Sequence, residues 1–131
     1  MTICVLRVRG EETEVGFLLE NIDLKVSSLW HKGQLDRKGG FLADSGFIAD
    51  IVDAESISEL MSEIRKFLIY CSKNDVSFSE KSLTSEISIG LFVGSSDQYV
   101  ASVNFDAKDL QLISSLGLSL DISAYPTSDE D

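Results

Sequence analysis

The spacing of apolar residues changes several times along the chain, and each change marks a predicted element. Residues 2–9 are apolar and β-branched, which predicts a first strand that Gly10 ends. Residues 11–22 place apolar side chains at helical spacing behind three acids, which favour a helix N-terminus through its dipole. Residues 23–30 return to extended character. After a glycine-containing loop over 32–44, "SGFIADIVD" predicts a strand with one face formed by Phe47, Ala49 and Ile51.

A long amphipathic helix is predicted in "SISELMSEIRKFLIYCSK". Ser56 and Glu59 match a capping box, in which the hydroxyl and the carboxylate each accept a hydrogen bond from a backbone N–H group at the helix start. The apolar residues that follow recur every three or four positions. They predict one buried stripe formed by Ile57, Leu60, Met61, Ile64, Phe67, Leu68 and Cys71.

The last third of the chain combines alternating residues with one more helix. Two alternating runs flank "GSSDQ" and predict a hairpin: Ile87, Ile89, Leu91 and Val93 before the turn, and Tyr99, Ala101, Val103 and Phe105 after it. Asp106 predicts the cap of a helix that Gly117 ends. Its inward residues are predicted to be Leu110, Ile113 and Leu116. "LSLDISAY" predicts a last strand with one face formed by Leu118, Leu120 and Ile122.

The predicted order of elements is β-α-β-β-α-β-β-α-β, which indicates the α+β class. A mostly antiparallel sheet should carry about three helices packed on it. With 131 residues, of which 44% are hydrophobic, the chain predicts one globular domain over residues 1–126. The acidic "TSDED" after the only proline predicts a disordered tail over residues 127–131.

The charge of the chain narrows the choice of partners. It has 22 acidic and 11 basic residues and a net charge of −11, which opposes contact with phosphate backbones. The same charge either favours a basic protein partner or merely maintains solubility. No apolar run approaches the ~18 residues of a membrane span, and the N-terminus does not read as an export signal. These features predict a cytoplasmic protein that binds neither nucleic acid nor membrane, with Cys4 and Cys71 as buried free thiols.

Motifs for catalysis or cofactor binding are not found in the sequence. Gly39 and Gly40 lack the spacing of a phosphate-binding loop, and one histidine with two distant cysteines does not make a zinc site. We therefore expect no cofactor, no metal and no enzyme activity. Asp50 alternates with core positions of its strand, so it should face away from the core. The alternative is a small enzyme that uses His31 as an acid or base with a nearby carboxylate.

The stretch "LWHKGQLDRKGG" stands out because it holds the only tryptophan and the only histidine among several basic residues. Its glycines predict a turn-rich connection between two strands. A tryptophan anchor with nearby carboxylates is typical of a contact surface. The predicted partner-binding residues are Trp30, His31, Lys32, Asp36, Asp44, Asp50 and Asp53. Two alternatives stay open: Trp30 belongs to the core and the rest is solvated loop, or the chain assembles with itself through an exposed strand edge.

Three segments of the chain resemble one bacterial family. "LWHKGQ" is similar to the Trp-x-Lys-Gly-Glu signature of domain of unknown function 4279, and a glycine-containing basic loop and "DSGF" follow it. "FDAKDLQLISSLGLSLDISAY" is similar to that family's closing helix and last strand. Gln34 stands where the family usually has glutamate. The resemblance implies a small single-domain bacterial protein without established enzyme activity. Some such proteins look like immunity proteins of toxin systems, including contact-dependent growth inhibition, so a cognate toxin domain is the expected partner.

Overall fold

The fold is organised around its first strand, which lies in the middle of a five-stranded sheet. The computed structural model describes residues 2–94 and 101–127. The sheet has the order β2-β3-β1-β4-β5. Its strands and the three helices follow the chain as β1 (Thr2–Gly10), α1 (Glu12–Asn21), β2 (Lys25–Trp30), β3 (Ser45–Ala54), α2 (Ile57–Lys73), β4 (Thr84–Val93), α3 (Ala107–Ser115) and β5 (Ser119–Pro126). This confirms the α+β class.

Strand pairing is mostly antiparallel, as predicted. β1 pairs antiparallel with β3 and with β4, and β2 pairs antiparallel with β3. Among the strands of residues 2–94 and 101–127, only β4 and β5 run parallel, which the intervening helix α3 permits because a parallel pair needs a long crossover connection. The sheet therefore ends in β2 on one side and β5 on the other.

All three helices pack on one face of the sheet, and the core lies between these two layers. β1 alternates along its length, so that Cys4, Leu6 and Val8 are buried while Arg7 and Arg9 are exposed. Helix α2 covers the middle of the sheet with a buried stripe formed by Leu60, Met61, Ile64, Phe67, Leu68 and Cys71. These residues repeat the predicted stripe except for Ile57, which is partly exposed.

Both predicted helix caps are present, with one difference in detail. Ser56 Oγ accepts from the backbone N–H of Glu59 at 3.1 Å. The Glu59 carboxylate, however, accepts from the backbone N–H of Glu55 rather than from that of Ser56. Asp106 and Asp109 form the complete reciprocal box at the start of α3. Gly117 follows α3 with a φ of +82°, a conformation that glycine adopts at low cost.

The predicted return strand of the hairpin is wrong within the described residues. Residues 101–105 form no strand, and Tyr99 with most of the "GSSDQ" turn lies outside the described residues. The physical reason is that β4 has no free edge, because β1 occupies one side and β5 the other. Ala101, Val103 and Phe105 still alternate and are partly buried against the core. The observed order is therefore β-α-β-β-α-β-α-β.

Three apolar side chains lie differently from their predicted positions. Leu110 of α3 is 50% exposed, because Asp109 takes the buried position beside it. Ile122 of β5 is exposed because it lies on an edge strand. A bulge opposite Cys4 and Val5 shifts the register of β3 at Ile51, so that the face continues through Val52 instead.

Two further features concern the predicted tail and the helices. Thr127 donates from its backbone N–H to the Val93 carbonyl at 2.7 Å, and the rest of the predicted tail lies outside the described residues. Among the described helices, none combines the length and the apolar character that a membrane crossing requires.

Candidate functional site

The face of the sheet opposite the helices, called here the open face, carries the candidate site. Alternation along β1 places Ile3, Val5, Arg7 and Arg9 on it. Within residues 2–94 and 101–127, the buried side chains of every helix point into the core on the other face. Both arginines are exposed to solvent. The open face is therefore a sheet surface that a partner can reach directly.

Trp30 forms an aromatic wall at one end of the open face. It ends β2, and its register partner on β3 is Gly46. A Cβ atom on Gly46 would collide with the Trp30 indole ring and with the Val8 carbonyl oxygen, so the absence of a side chain there lets the ring lie against the strand. The indole Nε1 donates to Asp44 Oδ1 at 3.5 Å. Trp30 is partly buried, so one side of the ring is held in place and the rest is accessible.

Beside the ring lies a groove of about 310 Å³, called here the Trp30 groove, which is lined by Arg7, Val8, Arg9, Trp30, Ile48, Thr84 and Glu86. Arg7 Nε lies 3.9 Å from Glu86 Oε1, so the charge of this arginine is partly balanced. The lining offers an aromatic surface, an aliphatic side chain, two guanidinium groups and a hydroxyl. Aromatic and arginine side chains of this kind carry most of the binding energy at protein interfaces.

His31 and Lys32 attach the following loop to the body of the protein. His31 Nδ1 lies 2.6 Å from Glu12 Oε1 at the start of α1. The backbone N–H of Lys32 donates to Ser45 Oγ at 2.9 Å. The His31 and Glu12 side chains are about half exposed or more, and neither lines the Trp30 groove. The pair therefore holds the loop against α1.

Asp36 is used inside the loop that it belongs to. Its Oδ1 accepts from the backbone N–H groups of Lys38 at 2.8 Å and Gly40 at 2.9 Å. Aspartate side chains stabilise tight turns in this way. The carboxylate thus shapes the turn, in addition to any contact with a partner.

The predicted carboxylates in and just before β3 lie at separate points of the structure. Asp44 precedes β3 and contacts Trp30. Asp50 and Asp53 are exposed and pair in register with Val5 and Ile3, which lie on the open face. The predicted orientation of Asp50 away from the core is confirmed. The structure therefore brings Trp30 and Asp44 together and places Asp50 and Asp53 further along the same surface.

The open face carries charges of both signs, with Glu86 near Arg7 at one end and Lys25 of β2 in register with Asp50 at the other. Arg7 and Arg9 lie at the end that holds Trp30. Asp50 and Asp53 lie further along β3, and Asp121 of β5 is in register with Ser88 in the same half of the face. A partner with the opposite arrangement of charge would be held in one orientation, because reversing it would bring like charges together.

Sequence reasoning missed Arg7 and Arg9 as site residues, although a signal for them exists. In "VLRVRG" the two arginines are two positions apart, so a strand necessarily places them on one face. Two exposed cations in a strand of an acidic chain are unusual enough to suggest a binding role. What the sequence could not show is that Trp30, far along the chain, lies beside them.

Two further features of the described residues concern potential metal ligands and the cysteines. In the described ranges, no three His, Cys, Asp or Glu side chains are grouped closely enough to hold a metal ion. Cys4 and Cys71 are free and buried, as predicted. Burial raises the pKa of each thiol to about 12, so both are poor nucleophiles at neutral pH.

A second polar cluster, which sequence reasoning also missed, lies between the helices. Arg65 of α2 donates from Nε and Nη2 to the carboxylate of Asp109 at 3.0–3.2 Å, and from Nη2 to the Asn104 carbonyl at 3.1 Å. Asp109 is only 5% exposed. Aspartates three residues apart in "DAKD" signal the reciprocal cap, but the arginine partner is supplied by tertiary packing.

The Arg65–Asp109 pair predicts a loss of stability in acid. Burial raises the pKa of the Asp109 carboxyl, but the hydrogen bonds from Arg65 and the Asp106 backbone outweigh it and hold the pKa below its ordinary value. The pair therefore contributes its full stability above the unfolded-state pKa of about 4, and this contribution is lost progressively as the pH falls through the lower pKa of the folded state. We expect Asp109→Asn to lower the free energy of unfolding at pH 7 by about 1–2 kcal/mol, a figure reduced for the exposure of Arg65.

Urea denaturation at pH 7 and pH 2.5 tests this prediction, with Asp121→Asn on β5 as the matched control. The stability deficit of Asp109→Asn should be smaller at pH 2.5 than at pH 7, whereas the control should match the unmodified protein at both pH values. A deficit of the same size at both pH values would contradict the proposed role of the charge.

Comparison of the chain with protein-family models, with curated proteins and with solved structures found no match in any of the three. The resemblance to domain of unknown function 4279 stays a prediction.

Proposed function

We propose that this protein is a non-catalytic binding module of the immunity type, which holds a cognate toxin domain against its open face and thereby blocks it. The observation that carries the proposal is the Trp30 groove. There an aromatic ring is seated on Gly46 beside two exposed arginines, on a sheet face that the described helices leave uncovered. A preformed aromatic anchor costs little entropy on binding.

The distribution of acids supports a basic protein partner. The net charge of −11 attracts such a partner from a distance, and Asp50 and Asp53 lie exposed on the surface that would meet it. Toxin nucleases carry basic surfaces for their substrates, so an acidic protein that covers such a surface also blocks access to it. The cytoplasm is the proposed location, because a toxin that acts on nucleic acid would be met there.

The direct test is to read the genes beside this one and to co-express this protein with any toxin domain that they encode. The two purified proteins should form a complex by size-exclusion chromatography, and the complex should lack the toxin's activity. A toxin that stays fully active in an excess of this protein would overturn the immunity role. Absence of any complex would overturn the binding role as well.

The carboxylates of the open face should contribute to affinity. We expect the triple change Asp44→Asn, Asp50→Asn and Asp53→Asn to weaken the complex by about tenfold at low salt and to flatten its salt dependence, because charges at an interface mainly accelerate association. Calorimetry and stopped-flow association at several salt concentrations measure both effects.

A matched control removes the same number of charges from the other side of the molecule. Glu20→Gln on α1 with Asp75→Asn and Glu80→Gln after α2 changes three exposed acids. If the control weakens binding as much as the open-face variant, net charge and not this surface sets the affinity. Unchanged affinity in the open-face variant would remove these carboxylates from the interface.

A further inference from the structure

A small hairpin projects from the loop between β2 and β3. The sequence predicted only a turn-rich connection at this position. Leu35 and Phe41 form an antiparallel bridge. The backbone N–H of Leu42 donates to the Gln34 carbonyl at 2.8 Å, and that of Asp36 donates to the Gly40 carbonyl at 2.9 Å. The element is called here the 34–42 hairpin.

The 34–42 hairpin is held rigid at its tip and at its base. At the tip, the Asp36 carboxylate accepts two backbone N–H groups, and Gly39 adopts a φ of +85° that suits the turn. At the base, the His31 backbone N–H donates to Gln34 Oε1 at 2.9 Å, and the His31 ring meets Glu12. A short hairpin alone is marginally stable in water, so these bonds supply what its few strand residues cannot.

The hairpin exposes two large apolar side chains that nothing in the described structure covers. Leu35 is 69% exposed and Phe41 is 71% exposed, and the bridge between them places them directly opposite each other. The hydrogen bonds within the hairpin explain its shape, but they do not explain why Leu35 and Phe41 are apolar and exposed. A preordered apolar pair at a protruding site is the arrangement expected of an interface anchor, because little conformational entropy remains to be lost on binding.

Charge identifies the kind of surface that would receive this pair. Arg37 and Lys38 occupy the turn of the hairpin, in a chain that is strongly acidic elsewhere. A second copy of the chain is a poor occupant, because a two-fold contact through the hairpins would bring the two basic turns together. An anionic membrane is a poor binding surface too, because the attraction of Arg37 and Lys38 is opposed by the repulsion between the membrane and a protein with a net charge of −11.

We propose that the 34–42 hairpin inserts Leu35 and Phe41 into an apolar cleft with an acidic rim on the partner protein. This inference rests on the proposed function and adds a second contact with its own chemistry. The open face meets basic side chains of the toxin domain through Asp50 and Asp53, whereas the hairpin meets an apolar cleft and its carboxylates through Arg37 and Lys38. The two contacts together set the orientation of the complex.

Substitution of the apolar pair tests the insertion. Phe41→Ser and Leu35→Ser should each weaken the complex by about 10- to 100-fold, which is typical of an anchoring side chain. The control is Leu110→Ser on α3, which removes an exposed leucine elsewhere and should leave the affinity unchanged. Because both hairpin side chains are exposed, each variant should unfold at the same urea concentration as the unmodified protein.

Charge reversal tests the acidic rim. Arg37→Glu with Lys38→Glu should weaken the complex by at least tenfold, whereas Lys73→Glu with Lys108→Glu on the helices should have little effect beyond long-range steering. Tighter binding by the hairpin reversal would overturn the acidic rim.

The outcomes separate this inference from the proposed function. Binding by the unmodified protein together with unchanged binding by Phe41→Ser would overturn the hairpin contact alone. Absence of binding by the unmodified protein would overturn both. Pelleting with phosphatidylserine vesicles, or a dimer in sedimentation velocity, that is lost in Phe41→Ser would overturn the protein cleft in favour of a membrane or a second copy.

Discussion

Replacement of Phe47 by alanine is expected to lower the free energy of unfolding by about 3–5 kcal/mol. Phe47 lies on β3, is fully buried and belongs to the core between sheet and helices. Its removal would lose the apolar contacts of a whole ring and leave a cavity that the helices can close only partly. Urea denaturation at pH 7 measures the effect as a lower transition midpoint with an unchanged slope.

Phe41→Ala is the control for this prediction, because it makes the same exchange six positions earlier at an exposed site. Its unfolding free energy should stay within about 0.5 kcal/mol of the unmodified protein. Equal losses in both variants would contradict the assignment of one ring to the core and the other to the surface. The two variants also differ in the expected binding defect, which belongs to Phe41 alone.

Gly46→Ala is expected to unseat Trp30, to lower the free energy of unfolding by about 1–3 kcal/mol and to weaken partner binding. The added methyl group would occupy space that the indole ring now fills. It would also collide with the Val8 carbonyl oxygen, which as backbone cannot move aside. Because Trp30 is the only tryptophan, its fluorescence reports the change directly: the emission maximum should shift to longer wavelength as the ring meets water.

The matched control for Gly46→Ala is Gly16→Ala in helix α1, where a Cβ atom would meet no neighbour within 4 Å. That change should stabilise the protein by about 0.5–1 kcal/mol, because alanine is the better helix former. Its emission spectrum should not change. If Gly46→Ala leaves the spectrum unaltered as well, the Trp30 ring does not pack against Gly46, and the described lining of the Trp30 groove is wrong.

The proposed interface divides attraction and anchoring between different residues. Asp50 and Asp53 are exposed carboxylates. An exposed ion pair between one of them and a basic side chain of the partner would add little to the affinity, but their charge would steer the partner during association. Trp30 and Phe41 offer aromatic surface that is already held in position by Gly46 and by the 34–42 hairpin. Substitutions in the first set should therefore change mainly the association rate, and substitutions in the second set mainly the dissociation rate.

The spacing of apolar and capping residues correctly predicted those elements whose structure does not depend on competition from distant parts of the chain. The buried stripe of α2 follows from the spacing of Leu60, Ile64 and Leu68, and the cap of α3 follows from Asp106. The apolar, β-branched residues of "TICVLRVR" predicted the first strand, which the structure confirms as β1. In these segments, side chains a few positions apart along the chain decide the structure.

Long-range competition decided the elements that the patterns misplaced. Residues 101–105 alternate as a strand should, but β5 takes the edge of β4 that they would need. Leu110 fits the helical stripe, yet Asp109 is buried beside it because Arg65 of a different helix reaches its carboxylate. Both β5 and Arg65 are far along the chain from the residues whose structure they change, so the spacing of nearby apolar residues could not indicate their effect.

For the candidate site, the sequence by itself determined that Trp30 lies at the end of a strand before a turn-rich loop, that Asp50 faces away from the core, and that the chain is strongly acidic. Only the tertiary structure decided that Trp30 lies on Gly46 beside Arg7 and Arg9, and that Leu35 and Phe41 form an exposed pair. The physical reason is that pattern along one strand determines which face a side chain occupies, whereas strand pairing determines which other residues share that face.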